Sequence, residues 1–111
     1  MNKEKKEMKK LHVYPGVCGL DTVITAETNE DEEIVLDIRS KCPAVMKLAE
    51  ELKEPLDAYS ICFSKPGSGE IYEKAAKCLI HGACPTAAGI VKCIEAEAGL
   101  ALAKDVSMVF E

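Results

Sequence analysis

The sequence has no tryptophan, three tyrosines and two phenylalanines among 111 residues. The core must therefore be built from Val, Ile, Leu, Ala and Met. No apolar run approaches the roughly 20 residues of a transmembrane helix, and no signal-peptide apolar stretch follows the basic start. A cytosolic protein that does not engage membranes is expected. No Ser-His-Asp arrangement, paired catalytic carboxylates or Rossmann glycine pattern is present, which gives no positive sign of an enzyme. Gly67-Ser68-Gly69 precedes a helix but lacks the Lys-Ser/Thr ending of a phosphate loop and is followed by Glu70.

Charge is scarce in one sign. Residues 1–10 (MNKEKKEMKK) hold five of the 14 basic residues, and 17 of the 19 acidic residues lie beyond them. A body this acidic repels a phosphate backbone, so nucleic acid is not an expected partner. The lysine-rich residues 1–10 read as a solvated, flexible N-terminus, and residues 11–111 as a single domain.

Six cysteines are present, yet there is no CxxC pair. In a reducing compartment a disulfide framework is not expected, leaving metal ligation, thiol chemistry or packing. Two cysteines share one setting. Lys41-Cys42-Pro43 and Ala83-Cys84-Pro85 each open an apolar, Ala-rich helical run. Proline suits the first helical position, which places each cysteine at an N-cap beside unpaired amides and the positive end of the dipole. A thiolate is most easily held there.

Alternation and helical spacing give the element order. Leu11–Tyr14, Thr22–Thr28 and Ile34–Arg39 read as strands, the last two as a hairpin around Asn29–Glu32. A helix over about 43–53 follows and stops before Pro55. Ala58–Ser64 alternates Tyr59, Ile61 and Phe63 against Ser60, Cys62 and Ser64, and reads as a short strand or extended segment. Helices over about 70–80 and from Pro85 to about Glu97 come next, then a closing strand with Val106, Met108 and Phe110 inward. The order β-β-β-α-(β)-α-α-β predicts an α+β fold, three helices on a mostly antiparallel sheet.

Cys18 stands at a turn between Val17 and Gly19, as a ligating loop cysteine would. Cys62 lies on the polar side of its segment between two serines. Cys78 and Cys93 fall on apolar helical stripes and read as packing residues. His81, three residues before Cys84, is a possible ligand or an ordinary helix-terminal histidine; His12 reads as a plain strand residue. Cys18, Cys42, Cys62 and Cys84, spaced 24, 20 and 22 residues apart, form a candidate set for a zinc ion or an iron–sulfur cluster. Lys41, Arg39 and two helix starts would offset the thiolate charge.

Gly-Val-Cys-Gly, a hairpin, Lys-Cys-Pro-Ala opening a helix and Ala-Cys-Pro opening another resemble the TSCPD domain, found on some ribonucleotide reductases and as stand-alone proteins. That resemblance implies metal binding at Cys18, Cys42 and Cys84; Ala83 and Thr86 stand where the domain's motif has Ser and Asp. The stretch Ala83 to Ile90 and the closing Asp105 to Glu111 are similar to an uncharacterised family of small cysteine-containing proteins of anaerobic bacteria and archaea.

Three functions follow as expectations. The first is a small metal-binding protein, with an iron–sulfur cluster or zinc, serving electron transfer, cluster delivery or redox sensing with a protein partner. The second is a thiol redox enzyme or switch using Cys42 and Cys84. The third is an interaction module with structural cysteines.

Overall fold

Period-two burial builds the sheet, which a computed structural model, describing residues 8–111, shows as three strands. β1 (Lys9–Val13), β2 (Thr22–Thr28) and β3 (Ile34–Ser40) pair antiparallel in that order. Ile24 sits opposite Leu11 and Ile38, and Thr22 opposite Val13 and Ser40. Val13, Ile24, Ala26, Ile34 and Ile38 are buried on one face, while Lys10, His12, Glu27, Asp37 and Arg39 face water on the other. A one-residue slip would exchange the two sets, so burial fixes the register. Asn29 closes the β2–β3 turn, its Oδ1 accepting from the Asp31 and Glu33 amides at 2.9 Å each.

Four helices cover the apolar face. α1 (Pro43–Glu51) packs on β3, and α4 (Thr86–Glu97) lies across β1 and β2. α2 (Ala58–Cys62) leans on α4, and α3 (Glu70–Cys78) touches both α1 and α4. The core is the aliphatic set expected, with Ile24, Leu48, Ile90 and Ile94 fully buried. Each contributes about 1.5–3 kcal/mol through loss of contact with water.

The direction of α4 matters for the site. Gly89, in its first half, faces Val13 and Leu11 of β1. Glu97, its last residue, accepts from the Thr28 amide at 3.1 Å. α4 therefore runs parallel to β2, with its N-terminus at the end of the sheet where Val13, Thr22 and Ser40 lie abreast.

The fold is α+β as the sequence predicts, with two local differences. Ala58–Cys62 is a helix rather than an extended segment, which raises the helix count from three to four. Asp57 is its N-cap, accepting from the Tyr59 amide at 3.3 Å. Ala58 and Ile61, three apart, are buried, while Tyr59 and Phe63, four apart, stack in solvent with ring centroids 6.1 Å apart. The second difference is Val106–Phe110, which forms no strand; residues 101–111 are exposed throughout. Of the lysine-rich stretch 1–10, residues 1–7 lie outside the described residues, while Lys9 and Lys10 open β1. Among the described residues no helix is long and apolar enough to cross a membrane.

Candidate functional site

Three segments meet the end of the sheet at Val13, Thr22 and Ser40: the loop 14–21, the start of α1 and the start of α4. Each brings one of the cysteines singled out above.

Cys18 stands on the loop, exposed, between glycines that make the bend possible. Gly16 and Gly19 have φ of 96° and 66°, and the Gly19 amide donates to the Gly16 carbonyl at 2.9 Å. Residues with a Cβ rarely adopt that backbone.

Cys42 caps α1, in extended conformation with Pro43 at the first helical position, as expected from its sequence. Its side chain makes no capping hydrogen bond and is half-buried. The thiol is thus left beside the first-turn amides. Its position is set by Ser40, a residue that sequence reasoning missed. Ser40 Oγ accepts from the Cys42 amide at 3.0 Å and from Thr22 Oγ1 at 2.7 Å. It donates to the Asp21 carbonyl at 3.2 Å. One hydroxyl thereby ties the Cys18 loop, β2 and the start of α1 together. The only sequence signal was a serine closing a strand two residues before Cys-Pro.

Cys84 is one residue further out than expected. Pro85 itself is the N-cap of α4, with ψ of 1°, and the helix begins at Thr86. The Gly89 amide makes the helix's first bond, to the Pro85 carbonyl at 3.0 Å. Cys84 keeps a place at that terminus, its Sγ donating to Thr86 Oγ1 at 3.3 Å. The His81 carbonyl accepts from the Cys84 amide at 3.1 Å, while the His81 side chain is exposed.

Cys62 has a different setting. It ends α2 in a groove of about 270 Å³ shared with Tyr72, Val91 and Glu95. Burial, and next the Glu95 charge, push its thiol up to about 11. Glu95 is eleven residues along α4 from Cys84, about 16 Å at 1.5 Å per residue. The structure thus sets Cys18, Cys42 and Cys84 toward one end of the sheet without bringing three ligating side chains together, and seats Cys62 in the α2–α4 groove.

The remaining thiols are as the periodicity suggested. Cys93 is buried under the sheet, 3.6 Å from the Lys9 and Ile24 carbonyls, and burial pushes it up to about 11. Cys78 is half-buried against the core at the end of α3. All six cysteines are free. Among the described residues, no three His, Cys, Asp or Glu side chains are grouped closely enough to hold a metal ion.

The sequence model of a family of unknown function, DUF6951, matches residues 9–110. The chain belongs to that family. No curated protein and no solved structure matches it. The DUF6951 region starts with β1, includes all six cysteines and extends through the exposed residues that follow α4.

Proposed function

We propose that this chain is a small metal-binding protein, holding a zinc ion or an iron–sulfur cluster through cysteine thiolates, with Cys18, Cys42 and Cys84 as the core of the ligand set. The observation that supports this reading is that the elements carrying those three cysteines end at the same end of the sheet, two of the cysteines beside helix N-termini. Three thiolates drawn together would need positive potential, and two helix dipoles at that end would supply it. The resemblance of the same three positions to the TSCPD domain points the same way.

Coordination requires the Cys18 turn to fold onto the two helix starts. Its two glycines and full exposure suit it to that movement, and the Ser40 hydroxyl anchors its far end. Cys62, the fourth thiol of the expected set, lies in the α2–α4 groove about 16 Å along α4 from Cys84, far beyond a metal–sulfur bond of about 2.3 Å, so it joins the set only through movement of α2. Electron transfer, cluster delivery to a protein partner and redox sensing are the roles such a site would serve.

Anaerobic purification followed by metal and sulfide analysis tests the proposal. A brown protein with iron and sulfide identifies a cluster; a colourless one with a single zinc identifies a structural ion. Cys42→Ser with Cys84→Ser should abolish either, and Cys62→Ser reports whether the fourth thiol takes part. Protein without stoichiometric metal would overturn the reading.

A second reading draws on the same two helix starts. Cys42 and Cys84 are free and half-buried, as a nucleophilic thiol and its resolving partner would be. Alkylation rates followed against pH decide it, since ordinary thiol values at both positions would rule it out.

A further inference from the structure

Residues 101–111 pose a problem that the chain's own fold does not solve. All eleven are exposed, including Leu102, Val106, Met108, Val109 and Phe110, with Phe110 fully so. They follow α4 beyond Gly99 and Leu100, and Val106, Met108 and Phe110 alternate as a strand with one apolar face. Apolar side chains in such density are normally covered by a partner. The family region runs to residue 110, so the segment through Phe110 lies within the stretch that the family model spans.

The sheet offers a matching vacancy. β1 is an edge strand, and among the described residues nothing pairs with its outer side. β3, the other edge, already bridges Leu56 through Ile34. Charge selects the occupant. Lys9 and Lys10 on β1 repel the β1 of another copy, the usual safeguard of an exposed edge. They attract a strand that ends in an acid, and Val106–Phe110 is followed by Glu111. Running antiparallel with Glu111 opposite Lys10, the segment sets Phe110 beside Leu11 and Met108 beside Val13, on the face that the helices cover.

We propose that the 105–111 segment docks on a second copy, with residues 108–111 pairing with the β1 edge, each chain giving its segment to the other in a two-fold dimer. The segment projects from its own body, so its sheet of attachment belongs to another molecule. Reciprocal exchange satisfies both edges with one contact used twice and closes the assembly at two copies. Main-chain hydrogen bonds supply the affinity, and the alternate apolar side chains set the register.

Sedimentation equilibrium of the full chain, reduced and with chelator so that neither disulfides nor metal join copies, should give twice the chain mass. A chain ending at Lys104, and the double variant Met108→Asp, Phe110→Asp, should sediment as monomers with unchanged helix content, because every altered residue is exposed. Lys10→Glu should raise the dissociation constant several-fold, and Glu111→Lys in the same chain should restore it. A monomeric full chain overturns the proposal, whether its 105–111 amides are protected by its own body or exchange freely while awaiting another protein. A dimer that survives truncation overturns it equally.

Discussion

Glu97 ends α4 buried in the protein, and its Oε2 accepts both the Thr28 amide at 3.1 Å and the Thr28 hydroxyl at 2.7 Å. A single carboxylate oxygen thereby pins the end of the longest helix to the end of the central strand. The other oxygen, Oε1, is buried with no hydrogen-bond partner among the described residues. This contact has no spare support. Thr28→Val keeps the side-chain shape and removes the hydroxyl donor, leaving Oε2 with the amide alone. A loss of about 1–3 kcal/mol is expected, the cost of depriving a buried polar atom of its partner. Urea unfolding followed by circular dichroism measures it; an unchanged midpoint and slope would show the contact to be energetically idle.

Gly89 fixes how closely α4 approaches the sheet. A Cβ there would stand 2.7 Å from Val13 Cγ2 and 3.4 Å from Leu11 Cδ2. Alanine favours a helix interior by about 1 kcal/mol over glycine. Overpacking costs about 1–3 kcal/mol, and Val13 is β-branched, stiff at χ1 and held in a strand, so it cannot turn aside. The clash prevails. Gly89→Ala should lower the thermal midpoint, and Val13→Ala in the same chain should recover part of that loss by making room.

How far the sequence could be read depended on what each pattern competes with. Ile34, Leu36 and Ile38 alternate against Asp37 and Arg39 over enough residues to exclude a helix, so the hairpin was legible. Cys42-Pro43 marked its helix start because proline at that position has one good use. At Ala58–Phe63 the stretch is too short for a period of two to be told from one of 3.6, and the Asp57 cap decided for a helix. Val106–Phe110 has strand composition, but β propensity expresses a fit to neighbouring strands, and its own chain provides none. Sequence placed Cys42 and Cys84 each at a helix N-cap, and the structure keeps the first there and moves the second one residue out. The placement of Cys84 at the sheet end that carries Cys18 and Cys42, and the separation of Cys62, depend on the direction of α4 across the sheet. That direction is set by Gly89 against Val13 and Glu97 against Thr28, which no local pattern encodes.

The six thiols should differ in reactivity. Burial first, then the Glu95 charge, raises Cys62, and burial, opposed by a backbone hydrogen bond and aided by Glu97, raises Cys93; both reach about 11. At pH 8 these two remain protonated and should be the last alkylated by iodoacetamide in metal-free protein, as peptide mapping would show. Stability follows the same shift. An unfolded cysteine loses its proton near pH 8.5, so between there and pH 11 the folded state binds more protons than the unfolded one. Stability then falls as pH rises across that window. Cys93→Ala should flatten the decline, and a decline unaffected by Cys93→Ala and Cys62→Ala would assign it to other groups.

Ser40 separates the architecture of the thiol end from its chemistry. Its hydroxyl takes the Cys42 amide and the Thr22 hydroxyl and gives its proton to the Asp21 carbonyl. Ser40→Ala removes all three bonds while leaving every thiol in place, at a cost of about 1–3 kcal/mol, mainly from the stranded Thr22 hydroxyl, which is buried. The Cys42 amide should exchange faster with solvent, and the loop carrying Cys18 should lose its anchor to the α1 start. Groups that orient metal ligands typically alter affinity by about 10–100-fold when removed. If the thiol end holds a metal, Ser40→Ala should weaken it by that order, measured by competition with a chromophoric chelator, while Ser64→Ala, a similar loss of a half-buried hydroxyl beside the Cys62 groove, should not. Equal metal affinity in the two variants would mean that the Cys18 loop and the α1 start do not act together, and the three-cysteine core would fail with it.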